Sequence, residues 1–215
     1  MNTRNEKFSN FEDIVTSFDE VRSIMGEVSQ PVRAKVIDHL DEVCRLFIAK
    51  SPFVVMASAS TEGHLDLSPK GDPVGFVKIL DQNYLAIPDR PGNRRADSFK
   101  NLLANPQIGL IFIIPGKTET LRVSGEARIV RDQRLRESMA VNKRIPEFAV
   151  VVYVERAFIH CPKCMVRSKL WQPDAWPDHT KLADIGEAMI EHAKLDITPA
   201  ELQEKAEREG LTRLY

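Results

Sequence analysis

The first fifty residues place their apolar positions three or four apart, which is the spacing of one face of an α-helix. Ser9 and Glu12 match a capping box, so the spacing predicts a helix from about residue 11 to Gly26. A second helix is predicted to open at Pro31 and to end at residue 50. We expect residues 1–50 to form N-terminal helices that pack on the rest of the chain.

After residue 52 the pattern changes to short apolar or alternating runs separated by turn residues, as in β-strands. Seven runs fit strands, at 53–59, 64–67, 74–79, 84–87, 108–114, 120–130 and 149–159. Helical spacing returns in four places, at 94–104, 132–142, 181–194 and 199–209. Strands with few helices between them favour an antiparallel barrel over a doubly wound sheet. The sequence therefore predicts a mainly β (β+α) chain with a barrel of six or seven strands at 51–175, a C-terminal helical extension at 176–215 and a single structural domain overall.

The composition excludes several classes of function. Lys and Arg number 30 and Asp and Glu 31, so the net charge of −1 draws the chain to neither nucleic acid nor anionic lipid. No apolar run approaches the roughly 20 residues of a membrane span, and the polar N-terminus lacks the core of a secretory signal. We therefore expect a cytoplasmic protein without nucleic-acid or membrane partners. The sequence also lacks the Rossmann, Walker, nucleophile-elbow and zinc-protease motifs.

The most informative segment is 88–106, which runs from a strand through a Pro-Gly turn into a helix. Arg94 and Arg95 precede the first helical turn, where positive side chains oppose the helix dipole unless an anion binds there. The pair thus predicts a phosphate site, but solvated arginines paired with Asp89 and Asp97 fit the sequence as well. The apolar residues expected on the inner face of this helix are Phe99, Leu102 and Leu103.

Two further polar clusters are candidates for ligand binding. Residues 66–73 contain two prolines, which lack a backbone donor, so this segment cannot be an ordinary central strand. It fits either a bulge or edge segment that presents Ser68 and Lys70 to a ligand, or a plain surface loop. Arg122 lies on the polar face of an alternating strand, where charged side chains are expected in any half-exposed sheet.

The cysteines give little support to a metal site. Cys161 and Cys164 form a lone C-x-x-C beside His160, whereas a structural zinc site needs four ligands, and only Cys44 remains as a thiol. We therefore expect no metal, and the spacing leaves two interpretations of these cysteines open, as packing residues or as a redox pair.

Four motifs in order give the chain a resemblance to a known family. They are S-P-K-G-D-P-x-G-F (68–76), L-x-I-P-D-R-P-G-N-R-R-x-D-S-x-x-N-L-L-x-N-P (85–106), P-G-x-x-E-T-L-R-V-x-G-x-A (115–127) and H-C-x-K-x-x-x-R-S-x-L-W (160–171). The chain resembles the pyridoxamine 5′-phosphate oxidase-related FMN-binding proteins, in particular their PPOX class of FMN-dependent enzymes. The resemblance implies an FMN-binding split β-barrel and a homodimer with FMN at the subunit interface.

The resemblance also assigns residues to FMN. The matching positions are Ser68, Pro69, Lys70, Ile87, Pro88, Arg94, Arg95, Ser98, Thr120 and Arg122. Arg94 and Arg95 fall on the family's phosphate-binding pair, and Thr120 falls on its flavin-contacting glutamine. The sequence departs from the family at Asp66 or a neighbour, where an arginine is expected. The C-terminal R-L-H-x-R signature that grips pyridoxal phosphate is also missing, so the resemblance implies FMN but not vitamin B6.

These observations together predict a homodimeric FMN-dependent oxidoreductase that acts on an unknown small molecule. Lys163, Arg167 and Trp171 form a basic and aromatic patch that we assign to the substrate side, although such side chains can also snorkel over a core. The alternatives are a split barrel that uses deazaflavin F420 or haem, and a flavin-binding protein without turnover.

Overall fold

The computed structural model describes residues 6–215. Eight α-helices are described, with these bounds: α1 Phe18–Met25, α2 Gln30–Ala34, α3 Glu42–Lys50, α4 Asp97–Ala104, α5 Gln133–Ser138, α6 Lys163–Arg167, α7 Ile185–Ala193 and α8 Pro199–Arg208. The strands are β1 Phe53–Ala59, β2 Leu65–Gly71, β3 Lys78–Ile79, β4 Tyr84–Pro88, β5 Gln107–Ile113, β6 Thr120–Val130 and β7 Ala149–His160. The chain divides into two compact units, with the boundary between Lys35 and Val36.

The second unit is built on one antiparallel seven-stranded sheet with the order β2-β1-β5-β6-β7-β4-β3. The main core lies on one face of this sheet, where side chains such as Met56, Phe112 and Val123 are buried. Helix α3 covers part of that face with Phe47 and Ile48. This β+α architecture is the mainly β fold that the strand pattern predicts.

The segment with two prolines is an edge strand, as one of the two interpretations expected. Strand β2 pairs along its whole length with β1, and Pro69 lies opposite Val55. A proline is compatible with this position because β2 is the last strand of the sheet, so one of its edges carries no ladder. Because side chains alternate along β2, Ser68 and Lys70 lie on the same face as buried Met56 and Val54, and Pro69 lies on the opposite face.

The N-terminal helix predictions are wrong in their bounds. Helix α1 begins at Phe18, because the hydroxyl of Ser17 accepts the amide of Glu20, and Ser9 and Glu12 therefore do not start it. The second predicted helix is interrupted after α2, because the backbone of residue 37 pairs with Ala157 of β7. The next helix, α3, begins at Glu42 and is capped by Asp41, whose carboxylate accepts the amide of Cys44 at 2.8 Å. The packing of residues 1–35 on the barrel and the domain bounds at 50 and 175 stay predictions.

Among residues 6–215, no helix combines the length and the apolar character that crossing a membrane requires.

A glycine in the sheet provides a test of the fold. Between Ser124 and Gly125 the register of β6 against β7 shifts by one residue, and a Cβ on Gly125 would overlap the carbonyl oxygen of Tyr153. We expect Gly125→Ala to lower the free energy of unfolding by about 3 kcal/mol, because the overlap forces the two strands apart. Denaturant unfolding measures the change.

The matched control is Gly109→Ala in β5, where a Cβ would meet only the Cβ of Ala57 at an ordinary 3.7 Å. This variant should unfold within about 1 kcal/mol of the wild type. Equal losses in both variants would contradict the close approach at Gly125.

Candidate functional site

A cleft of about 800 Å³ opens between strand β2, the start of α4 and the loop before β7. It is within the usual size range of sites for small molecules and cofactors. Six of the residues predicted to bind FMN line it: Ser68, Pro69, Lys70, Arg94, Arg95 and Ser98. Segments that are far apart in sequence, 66–70 and 89–99, therefore meet at one place, as the phosphate-site interpretation requires.

The start of α4 is positioned by hydrogen bonds to two strands. The Oγ of Ser98 donates to the carboxylate of Asp66 in β2 at 2.5 Å, and the Nδ2 of Asn101 donates to the Oγ of Ser58 in β1 at 3.1 Å. Ser98 and Asn101 are both buried, whereas Leu103, expected on the inner face, is 80% exposed. The inner face of α4 is therefore partly polar, and its hydrogen bonds to β1 and β2 fix the start of the helix at the cleft.

The first turn of α4 has unusual backbone geometry. The N-cap residue is Ala96, which has no side-chain oxygen for the first amides of the helix. Ala96 and Arg94 both lie in the left-handed region, at φ values of 56° and 60°. Side chains other than glycine adopt this region at a cost of order 1–3 kcal/mol, and such strain is concentrated at ligand sites. The first backbone amides of α4 are therefore available as hydrogen-bond donors to a ligand in the cleft.

The charges of the cleft are almost balanced. Five cationic side chains face four carboxylates, which leaves a charge of +1; they are Lys70, Arg90, Arg94, Arg95 and Arg144, against Asp66, Asp89, Asp97 and Glu147. Arg95 pairs with Asp97 at 2.6 Å, as the interpretation of solvated arginines expected, but Asp89 pairs with Lys70 at 3.6 Å and with neither arginine. Burial raises the pKa of Asp89, and the nearby ammonium of Lys70 only partly offsets this.

Several residues of the cleft carry no local signal in the sequence. Arg90 binds the buried carboxylate of Asp72 at 2.5 Å and the carbonyl of Met139 at 2.9 Å. Arg144 and Tyr215 reach the cleft from the loop before β7 and from the end of the described chain. Proximity to Arg94 in the sequence could have indicated Arg90, but only tertiary structure reveals the other two.

The other predicted FMN contacts do not line this cleft. Ile87 and Pro88 are buried within β4, directly before Asp89, which does line it. Thr120 and Arg122 alternate with Leu121 and Val123 of the core. Because successive strand residues point to opposite faces, Arg122 lies exposed on the outer face, across the sheet from Ser68 and Lys70, whereas Thr120 is buried and only 2% exposed.

The residues assigned to the substrate side lie near the start of β6. Lys163 and Arg167 are exposed on α6, and the Nε1 of Trp171 donates to the carbonyl of Lys117 at 2.8 Å, in the turn before β6. Apart from Ile87 and Pro88, which are buried in β4, the predicted residues therefore form two separate groups, one in the cleft and one near Thr120.

The interpretation of Cys161 and Cys164 as packing residues is wrong, because both thiols are exposed. The buried cysteine is Cys44, whose pKa is raised to about 12, chiefly by desolvation. Within residues 6–215, no group of three or more His, Cys, Asp or Glu side chains could hold a metal ion.

Comparison with known proteins decides the family. The sequence model of the pyridoxamine 5′-phosphate oxidase family matches residues 40–160, more than half of the chain. The chain belongs to this family. The matched region contains all seven strands and α4, and thus the split barrel and most of the cleft.

Solved structures with a similar fold have low sequence identity. The oxidase-family chain is similar to HupZ of Group A Streptococcus, at 17% identity and a TM-score of 0.45, over 55% of this chain and 92% of that one. It is also similar to General Stress Protein 26 of Bacillus anthracis, at 12% identity and a TM-score of 0.41, over 54% and 88%. HutZ, the heme storage protein of Vibrio cholerae, matches at 14% identity and a TM-score of 0.40, over 56% and 94%. No curated protein matches the chain.

The raised pKa of Asp89 gives a test of the cleft electrostatics. A carboxylate whose pKa rises on folding contributes stability below its unfolded pKa and loses it as the pH rises through the folded value. We therefore expect Asp89→Asn to match the wild type near pH 3 and to gain stability over it toward pH 7, by less than about 1 kcal/mol. Denaturant unfolding at a series of pH values measures the difference.

Asp41→Asn is the matched control with the opposite sign. The amide of Cys44 lowers the pKa of Asp41, so its charged form stabilises the fold above the unfolded pKa and this contribution disappears in acid. This variant should lose stability relative to the wild type as the pH rises. Parallel pH profiles for the two variants would contradict the assignment of Asp89.

Proposed function

We propose that the chain is a homodimeric, cytoplasmic FMN-dependent oxidoreductase that holds the FMN phosphate at the start of α4. The observation that carries the proposal is the left-handed turn with Arg94 and Arg95 at the end of a helix whose N-cap is an alanine. Helix-end amides, the helix dipole and two guanidinium groups all favour an anion at this position. Membership of the pyridoxamine 5′-phosphate oxidase family supports a redox role.

The ion pair that Arg95 forms with Asp97 does not prevent Arg95 from binding a phosphate. The pair of Arg95 and Asp97 is solvated, since 73% of the arginine side chain is exposed. An exposed ion pair contributes about 0–1 kcal/mol, whereas a charge-assisted hydrogen bond to phosphate contributes about 1.5–3 kcal/mol. Arg95 can therefore exchange Asp97 for a phosphate with a net gain. The carboxylate of Asp66 accepts the hydroxyl of Ser98 but keeps its negative charge, so the cations of the cleft must offset its repulsion of a phosphate.

In this proposal the chain binds and orients the cofactor. Arg94, Arg95 and the first amides of α4 hold the phosphate, while Ser68 and Lys70 face the cleft from β2. The isoalloxazine ring of FMN, when bound, supplies the electron transfer. Lys163, Arg167 and Trp171 remain our candidates for the substrate side, and the substrate itself is a small molecule of unknown identity.

A second copy of the chain would unite the two groups of predicted residues. The outer face of β2, β1 and β5 is apolar and accessible: Leu65 is 80% exposed, Leu67 68% and Phe53 37%. Arg122 lies exposed on the same outer face, three strands away from β2, while Thr120 beside it is buried within the chain. A two-fold axis through this face would cover the apolar side chains and bring Arg122 of one copy toward the edge strand of the other.

The phosphate assignment predicts the effect of removing the arginines. Arg94→Ala or Arg95→Ala should weaken FMN binding about 10- to 100-fold, because each removes a charge-assisted hydrogen bond to the phosphate. Riboflavin, which lacks the phosphate, should bind the wild type and the double variant equally poorly. Titration of the apo-protein, followed by flavin fluorescence, measures both ligands.

Arg134→Ala, at an exposed arginine on α5 outside the cleft, is the matched control and should bind FMN like the wild type. Wild-type affinity in the double variant would place the phosphate elsewhere.

Absorption of the purified protein separates the alternative cofactors, since a Soret band indicates haem and bleaching by NAD(P)H indicates a flavin that turns over.

The dimer assignment predicts a particle of twice the 24.4 kDa of one chain in light scattering. Leu65→Glu, on the same outer face and outside the cleft, should give a monomer with weakened FMN binding, because two carboxylates would be buried near the two-fold axis. Leu182→Glu, at a leucine that is 74% exposed and outside the sheet, should remain a dimer. A wild-type monomer that retains FMN would refute the interface.

A further inference from the structure

The arginines of the cleft bind a segment of the chain itself, residues 209–215, which we call the strap. Arg94 donates from Nη2 to the carbonyl of Glu209 at 2.8 Å, and Arg144 donates to the carbonyl of Tyr215. The guanidinium of Arg90 lies 5.7 Å from the centre of the Tyr215 ring, within range of a cation–π contact. Three of the five cations of the cleft therefore contact one short segment.

The end of α8 is shaped to present its carbonyl to Arg94. Gly210 adopts φ +71°, and the amides of Gly210 and Leu211 bond back to Glu207 and Ala206 at 3.0 and 2.9 Å, the pattern of a Schellman cap. This cap reverses the chain and leaves the carbonyl of Glu209 directed outward. The C-terminal end of a helix carries partial negative charge, so it attracts Arg94 as a weak anion would.

The other end of the strap is held by a buried carboxylate. The Oη of Tyr215 donates to Asp72 at 2.6 Å, and Arg90 binds the second oxygen of the same carboxylate. Only 1% of the Asp72 side chain is exposed, so both partners replace water that the carboxylate has lost. The hydrogen bond to Asp72 also raises the pKa of Tyr215. The strap is thus fixed at both ends by groups of the cleft.

We propose that the strap is an internal ligand of the cleft, which occupies Arg94 through the carbonyl oxygen of Glu209 and is displaced there by a phosphate group. The peptide carbonyl of Glu209 is a neutral acceptor, and a phosphate dianion forms hydrogen bonds with arginine about twice as strong. An incoming phosphate therefore replaces Glu209 on Arg94, and the strap loses this backbone anchor. This inference rests on the proposed function, because it takes Arg94 as a phosphate-binding residue.

Tyrosine labelled with ¹³C at Cζ reports the displacement directly by NMR. The sequence has three tyrosines, and Tyr215→Phe assigns the signal of Tyr215 by its loss. We expect inorganic phosphate and FMN to shift this signal, because the phenol leaves Asp72, and riboflavin to leave it unchanged. Tyr84 and Tyr153 contact each other in the sheet with tilted rings whose centres are 5.2 Å apart, and they serve as internal controls. A Tyr215 signal that neither inorganic phosphate nor FMN moves overturns the proposal.

Affinity provides a second measurement. Tyr215→Phe removes only the hydroxyl that holds the strap on Asp72, so the open cleft becomes more populated and FMN should bind about 3- to 10-fold more tightly. Leu214→Ala, at a strap residue that is 80% exposed, should bind FMN like the wild type. Unchanged or weaker binding by Tyr215→Phe overturns the proposal, because the strap would then be neutral or part of the site.

The two proposals fail in different ways. Wild-type FMN affinity in the Arg94→Ala/Arg95→Ala variant refutes the phosphate assignment of the cofactor. The response of Tyr215 to inorganic phosphate is measured without FMN, so it decides the strap separately.

Discussion

The register of β2 against β1 determines which residues form the cleft and which form the outer face. Ser68 lies opposite Met56 and Leu67 opposite Ala57, so the polar residues of β2 share the face of the core and its leucines lie on the opposite face. Since side chains alternate strictly along a strand, a slip of one residue would exchange the two sets. The Oγ of Ser98 then bonds Asp66, which ties α4 and its arginines to the same register. One strand pairing thus sets both the ligand-binding side and the apolar side.

The cleft combines many charges with little net charge. Two of its cations have partners that a ligand can replace at low cost: a solvated aspartate for Arg95 and a backbone carbonyl for Arg94. Arg90 differs, because its carboxylate partner Asp72 is buried, and replacing a buried partner is costly. Arg90 is therefore less available to an anion than Arg94 and Arg95.

The sequence predicts those parts of the fold whose signal is local. Strands β1, β5, β6 and β7 match their predicted runs to within one residue, because each is an apolar or alternating stretch bounded by turns. The first N-terminal helix was misplaced because Ser17, and not Ser9, caps it. The second was predicted as one helix because no nearby residue indicates that Ile37 pairs with Ala157. In the cleft, Arg94 and Arg95 could be found from their place before α4. Arg144 and Tyr215 could not, since each reaches the cleft only through tertiary structure.

The burial of Cys44 has a practical consequence for spectroscopy. With its pKa raised to about 12, its thiol is almost entirely protonated at neutral pH and reacts slowly with labelling reagents. Cys161, just before α6, and Cys164, within it, are exposed and are then the thiols that take up a spin label or a fluorophore. The unaltered chain thus carries natural labelling positions next to the candidate substrate residues, from which distances between the two copies of the proposed dimer can be measured without introducing a cysteine.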